Sequence, residues 1–324
     1  MQIVQSKADS VNYKVREPLI LESGHTLRDL RIQYTTYGHL NADKSNVVWV
    51  FHALTADSNA AEWWPGLVGD GFFINPEEHF IVCANILGSC YGTTEPEDKS
   101  FPIFTIADIV AAHKQLFKKL DLSSIKIGIG GSMGGQQLLE WVVQEPELFE
   151  IIVPIATNAV HSPWGIAFNE TQRMAMEHPD PKIGLETARA IAMLSYRHYD
   201  TYEKSQFDDD FRSNDFSASS YQRYQGEKLE KRFSPLSYFY LSKAMDTHNI
   251  GRKYQSLEFA LRRIRSRAVV IGIESDLLFP AQEQEFIAQH IQDATLRSVP
   301  SLYGHDGFLM EAEAIGKILK EELK

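Results

Sequence analysis

Apolar residues fall into two rhythms along this chain. Four short runs are apolar at nearly every position, Asn46 to Phe51, with VVWVF at its heart, Phe80 to Asn85, Ile151 to Ile155 and Arg267 to Ile273, and two more, Ile125 to Ile129 and Thr295 to Val299, are short and β-branched with polar or glycine positions between. Their length and β-branched content predict strands, and the continuous runs among them suit strands covered on both faces. Between them, apolar residues recur at three- and four-residue spacing. This predicts helices over Ile106 to Leu120, over a segment after Ser132 carrying Leu138, Leu139, Val142 and Val143, over Gln282 to Gln292 and over Phe308 to Leu323. Such alternation implies a mostly parallel central sheet with right-handed crossovers and helices on both faces. Ahead of it, residues 18–37 predict a hairpin, Leu19-Ile20-Leu21 against Leu30 to Tyr34 across a Glu-Ser-Gly turn.

The alternation stops from about Val160 to Gly251. That block is aromatic-rich and helix-like, with helices expected near 166–177, 185–198, 217–231 and 235–247. The predicted organisation is a core domain of residues 1–157 and 253–324, with a helical lid of residues 158–252 over the C-terminal edge of the sheet. The acidic stretch Phe207 to Asp215 lacks the sixth-position glycine and twelfth-position glutamate of a calcium loop, and reads as a solvated loop.

Composition narrows the function classes. With 43 acidic and 32 basic residues the formal charge is −11, which argues against a nucleic-acid or anionic-membrane binder. Two cysteines, Cys83 and Cys90, are too few for a disulfide framework and suit a reducing cytoplasm. Cys90 has no cation beside it in sequence to activate it and reads as a structural thiol. The first residues are polar, without an apolar stretch of signal-peptide length, and no run approaches the roughly 18 apolar residues of a membrane span.

The chemistry centres on Gly130-Gly131-Ser132-Met133-Gly134, which fits the G-x-S-x-G nucleophile elbow between a strand and a helix. A glycine-rich turn with an ordinary capping serine fits the pentapeptide equally. As an elbow it makes Ser132 the nucleophile and the Met133 N–H an oxyanion donor at the positive end of a helix dipole. The loop His52-Ala53-Leu54-Thr55 follows the first buried strand, where this architecture places the second donor, so the Leu54 N–H is nominated; a plain loop with a satisfied core histidine is the alternative. Asp276 follows the Val269–Ile273 strand and His305 follows the Thr295–Val299 strand. Taken singly, Asp276 also fits a plain turn, and Asp306 also fits the N-cap of the last helix. Taken together, Ser132, Asp276 and His305 stand in the chain order of an α/β-hydrolase triad, each just beyond a strand.

At these residues the chain resembles the homoserine O-acyltransferase family of the α/β-hydrolase fold. The similar stretches are HALT at 52–55, the Asn85 to Thr94 loop, GGSMGGQQLLEW at 130–141, SYFYLSKAMDTHNIGR at 237–252 and YGHDGFL at 303–309. The resemblance implies acyl-CoA-dependent O-acylation of an amino-acid alcohol in methionine biosynthesis, with Ser132, Asp276 and His305 as triad. It implies that Arg189 and Tyr196 hold the substrate carboxylate and Asp306 its amino group. It further implies acetyl-CoA as cosubstrate with no bound cofactor and no metal, small molecules as the only ligands, a cytoplasmic location, and a homodimer joined through the lid helices. Arg189 and Tyr196 are seven residues apart and share a helix face, although a solvated arginine and a core tyrosine would fit the same spacing. The chain departs from the family in the loop Glu95 to Pro102 and at Ala107, both expected near the mouth of the site. The densest basic cluster, Arg262, Arg263, Arg265 and Arg267, reads as a solvated helix face or a site for CoA phosphates. Rival readings are an esterase or thioesterase with the same triad, an acyltransferase using succinyl-CoA or L-serine, and a non-catalytic relative.

Overall fold

The computed structural model describes residues 8–209 and 215–323. Among the described residues ten strands form: β1 Asp9–Lys14, β2 Leu19–Ile20, β3 Thr26–Leu27, β4 Arg31–Tyr37, β5 Val47–Phe51, β6 Phe80–Ala84, β7 Ile125–Gly131, β8 Phe149–Ile155, β9 Arg267–Ile273 and β10 Ala294–Val299. Eight make one sheet in the order β1-β4-β6-β5-β7-β8-β9-β10. β1 and β4 pair antiparallel, β4 and β6 likewise, and every later pairing is parallel. The helices are α1 Ala60–Trp63, α2 Ile106–Lys119, α3 Met133–Gln144, α4 Pro163–Ala175, α5 Pro181–Tyr196, α6 Tyr199–Ser205, α7 Ser217–Glu230, α8 Pro235–Asp246, α9 Leu257–Arg262, α10 Ala281–His290, α11 Gly307–Met310 and α12 Ala312–Glu322.

Burial explains the continuous apolar runs. All five residues of β5 are buried, and successive side chains enter different cores. Val47, Trp49 and Phe51 join the core beneath α2, α3 and α10, whereas Val48 and Val50 join the one beneath α1 and α12. Trp49 meets Trp141 of α3 edge to face at 5.2 Å, and His113 of α2 stacks on Trp141. Each fully buried tryptophan removes on the order of 200 Å² from water, a gross gain of about 5 kcal/mol. α2 begins with a capping box: Thr105 Oγ1 accepts the Asp108 N–H, and the Asp108 carboxylate accepts the Thr105 N–H.

Between β8 and β9 the chain leaves the sheet and builds α4 to α8. The two connections run side by side, with the His161 N–H donating to His248 O at 2.9 Å and the Ile250 N–H to Ala159 O at 3.1 Å. Within the insertion α5 is central, packing on α4, α7, α8 and the turn Gly304–Asp306. No helix of the described residues is long and apolar enough to cross a membrane.

Several elements differ from the sequence expectation. The 18–37 hairpin is smaller: Leu19–Ile20 pairs with Thr26–Leu27, while β4 leaves it to pair with β1 and β6. β1, DSVNYK, is almost wholly exposed, so it carries no apolar signal. The expected last helix, Phe308 to Leu323, breaks into α11 and α12, and a one-turn 3-10 helix at Gly304–Asp306 precedes it. Three short helices, α1, α6 and α9, add to the expected set. The acidic stretch 207–215 falls in part outside the described residues, at 210–214.

Candidate active site

β7 ends at Gly131 and α3 begins at Met133, so a single residue makes the corner. That residue is Ser132, with φ 56° and ψ −128°, a backbone conformation L-residues rarely adopt. The surroundings hold it there: the Ser132 N–H donates to Ile155 O at 3.0 Å, and Thr157 Oγ1 donates to Ser132 O at 2.8 Å. Two glycines make the corner sterically possible. A Cβ on Gly130 would stand 2.5 Å from the Gly134 carbonyl group, and one on Gly134 would stand 2.1 Å from Phe51 O.

His305 and Asp276 arrive from the ends of β10 and β9. His305 Nε2 lies 2.8 Å from Ser132 Oγ, and Nδ1 lies 2.7 Å from Asp276 Oδ2. A carboxylate only accepts, so Nδ1 carries the proton and Nε2 presents a lone pair to the Ser132 hydroxyl. Asp276 Oδ1 accepts the N–H groups of Leu278 at 2.8 Å and Phe279 at 2.9 Å, which fixes the carboxylate plane. The imidazole sits among the rings of Tyr196, Phe279 and Phe308. All three polar residues are buried.

The Leu54 and Met133 N–H groups have no hydrogen-bond acceptor among the described residues. The Met133 side chain is fully buried, so the residue offers the site its amide alone. His52 is structural: Nδ1–H donates to Ala53 O at 2.9 Å, Nε2 accepts the Ile86 N–H at 3.1 Å, and burial holds its pKa below the usual histidine range.

A cavity of about 640 Å³ opens above Ser132 and His305 and is also lined by Leu54, Arg189, Tyr196 and Asp306. The Arg189 guanidinium lies 5.2 Å from the Tyr196 ring centroid, and that ring lies 5.7 Å from His305. Burial pushes the Tyr196 phenol above the usual tyrosine range, while the Arg189 cation pulls it down. The phenol is therefore a hydrogen-bond donor at neutral pH. Asp306 Oδ2 pairs with Arg197 at 3.1 Å, and Oδ1 has no partner among the described residues. The structure thus brings all eight sequence-nominated residues to one place, counting Asp276 behind His305 and the Met133 amide beside Ser132.

Other features were not foreseen or fall elsewhere. Arg197 stands next to Tyr196 in sequence, yet nothing in the spacing pairs it with Asp306. Lys228, Arg232, Tyr91 and Trp63 also line the cavity, and the exposed Lys228, Arg232 and Glu62 mark its solvent end. Lys228 and Arg232 lie in the mixed-charge run EKLEKR, which reads as solvated helix surface. The cluster Arg262 to Arg267 is at the opposite edge of the sheet. Arg267 starts β9, and Arg263 and Arg265 face Ser123 and Pro146, just outside the starts of β7 and β8. A seven-residue strand separates that edge from Ser132 by about 20 Å. Neither family departure lines the cavity. The 95–102 segment is tied to α8 by the Tyr240 hydroxyl, which donates to Lys99 O and Phe101 O. Ala107 is buried in the first turn of α2, where Asp108 Oδ1 accepts the Glu22 N–H.

Residues 46–312 match the model of the alpha/beta hydrolase fold. A homoserine O-acetyltransferase of Cyclobacterium marinum is 47% identical over 324 aligned residues, covering 94% of this chain and 92% of that protein. The solved homoserine O-acetyltransferase of Staphylococcus aureus superposes with a TM-score of 0.85 at 28% identity, covering 98% of this chain and 95% of that one. An acetylester hydrolase of Corynebacterium glutamicum superposes with a TM-score of 0.86 at 22% identity, covering 97% and 95%, a likeness of fold.

Proposed function

Because this chain belongs to the homoserine O-acetyltransferases of the α/β-hydrolase fold, we propose that it moves an acetyl group from acetyl-CoA to the side-chain hydroxyl of L-homoserine by a ping-pong mechanism. The observation that carries the reading is one wall-to-wall arrangement. The hydrogen-bonded Ser132, His305 and Asp276 open onto a cavity that also presents a cation, Arg189, and a carboxylate, Asp306. A zwitterionic amino acid needs both charges, and a simple ester needs neither.

In the first half-reaction Ser132 Oγ attacks the thioester carbonyl as His305 Nε2 takes its proton. Asp276 stabilises the resulting imidazolium, and the Leu54 and Met133 N–H groups hold the tetrahedral oxyanion. Donors of this kind are each worth about 10²–10³ in rate. The intermediate collapses by breaking its C–S bond, His305 returns the proton to the departing CoA sulfur, and an acetyl ester remains on Ser132. In the second half-reaction Arg189 and the Tyr196 hydroxyl take the homoserine carboxylate, and Asp306 Oδ1 takes the ammonium. His305 then removes the proton of the homoserine hydroxyl as its oxygen attacks the acetyl ester, and the tetrahedral intermediate collapses by breaking its bond to Ser132 Oγ, to which His305 returns the proton. Orientation by two opposite charges raises the acceptor's effective concentration over water, which is what separates transfer from hydrolysis.

In the same reading residues 158–252 act as a lid on the core formed by 1–157 and 253–324. The protein works in the cytoplasm as a homodimer joined through that insertion, whose surface exposes Trp164, Met174 and Leu194. The test is CoA release from acetyl-CoA with and without L-homoserine, the product identified by mass spectrometry. Release that requires homoserine, yields O-acetylhomoserine and disappears in Ser132→Ala is expected. Release indifferent to homoserine, with free acetate as product, would make the protein a hydrolase. Turnover only with succinyl-CoA or L-serine would change the donor or the acceptor.

A further inference from the structure

The loop that carries Leu54 is tied to the core on both sides, the Ala56 N–H closing the 53–56 turn on Ala53 O at 3.1 Å and Trp63 Nε1 donating to Asp57 O at 2.8 Å, while Thr55 within the turn is held from outside the core. Ahead of Leu54, Ala53 O also accepts from the His52 imidazole, and His52 is itself locked to Ile86. This half belongs to the rigid end of β5. Behind Leu54, the side chain and carbonyl of Thr55 have a single partner among the described residues, and it comes from the helical insertion. Arg232, just past α7, donates from Nη1 to Thr55 O at 2.6 Å, and its Nη2 lies 3.5 Å from Thr55 Oγ1. The same Nη1 donates to the Tyr91 hydroxyl at 2.6 Å, which orients the guanidinium. Phe233, buried beside it, packs edge-on against the Tyr91 ring at 5.7 Å.

We propose that Arg232 is a positioning residue that holds the second half of the 53–56 turn, and with it the Leu54 N–H, in place for the oxyanion. This rests on the assignment of the Leu54 N–H as an oxyanion donor under the proposed function. It makes seating of the insertion a condition for a complete oxyanion hole. The role differs from that of a phosphate anchor for the acyl donor, which the place of Arg232 at the solvent end of the cavity would also allow. Its Nη1 is already committed to two protein acceptors, which favours positioning.

The test uses the whole protein with two donors, acetyl-CoA and p-nitrophenyl acetate, the second having no phosphate. Misplacing a reacting group by about 1 Å costs on the order of 10²-fold. Arg232→Ala is therefore expected to lower kcat by about 10- to 100-fold with both donors, leaving KM for acetyl-CoA within about threefold. Guanidinium chloride at about 20 mM should restore part of the loss in the variant and none in the parent, and Arg232→Lys, which keeps a donor, should lose less. A variant with unchanged kcat overturns the proposal. So does one in which KM for acetyl-CoA rises while turnover of p-nitrophenyl acetate is intact, which would make Arg232 the phosphate anchor. Arg232 is exposed, so its removal leaves the core whole; Arg232→Met, keeping the alkyl stem, repeats the test should the alanine variant fail to fold. The nitrophenyl ester needs no homoserine, so its outcome stands even if the acceptor proves to be a different one.

Discussion

Replacing Asp276 by Asn changes one atom and should reverse the tautomer of His305. Asp276 Oδ1 accepts two buried backbone N–H groups, from Leu278 and Phe279, and Oδ2 accepts the His305 Nδ1 proton. In the variant the amide oxygen must stay with the two backbone donors, so the NH₂ faces His305. Nδ1 then has to accept, the ring proton moves to Nε2, and a donor points at Ser132 Oγ where a base is needed. Turning the amide over restores the base but leaves two buried N–H groups unmet, at about 1–3 kcal/mol each. The productive arrangement is thus raised by about 2–6 kcal/mol, which at 1.36 kcal/mol per tenfold lowers kcat by about 30-fold to 10⁴-fold. A triad aspartate amidated in a serine protease loses about 10⁴ by the same cause. The assay is thiol-detected CoA release at saturating homoserine, with circular dichroism to check the fold. Because neither Arg189 nor Asp306 is disturbed, KM for homoserine should stay within about threefold. A loss of kcat below about tenfold would refute the reasoning, because it would mean that Asp276 does not set the tautomer.

Two further outcomes test other parts of the account. Arg189→Met should raise KM for homoserine by about 10- to 150-fold, the equivalent of one charge-assisted hydrogen bond of about 1.5–3 kcal/mol. The first burst of CoA release should keep its parent rate; a slowed burst would place Arg189 in the first half-reaction instead. His113, buried with Nε2 against Gln137 Oε1, has its pKa lowered by burial to about 4. Its folded value lies below the unfolded value near 6.5, so its penalty is absent above pH 6.5 and grows as pH falls, levelling near pH 4 at about 3 kcal/mol. His113→Gln should therefore flatten the urea midpoint against pH between 6.5 and 4, and parallel curves for variant and parent would show that His113 does not carry this dependence.

What the sequence determined by itself is whatever depends on neighbours along the chain. The run Val47–Phe51 is a strand because it is apolar on both faces, and Ile125–Ile129 because its isoleucines alternate with Lys126 and Gly128. The Ser132 corner follows from glycines at fixed offsets, and the positions of Asp276 and His305 beyond their strands follow from alternation of elements. The resemblance added roles for Arg189, Tyr196 and Asp306, which chemistry alone left open to plainer readings. Pairing over long separations was decided only in the tertiary structure. β4 alternates like a hairpin strand, yet its partners are β1 and β6, and β1 offers an exposed polar edge with no hydrophobic signature. A charged side chain shows no more in sequence of where it will stand. Arg262 to Arg267 form the densest basic cluster but lie at the wrong edge of the sheet, because β9 runs about 20 Å from Arg267 to the edge where Ser132 stands. Arg232 sits in an unremarkable charged run, and the fold of α7 carries it across to Thr55 and Tyr91. Burial patterns are written locally because water acts on each residue where it stands, whereas the partner of a long polar side chain is chosen by whichever distant element the packed cores bring within 3 Å of its tip.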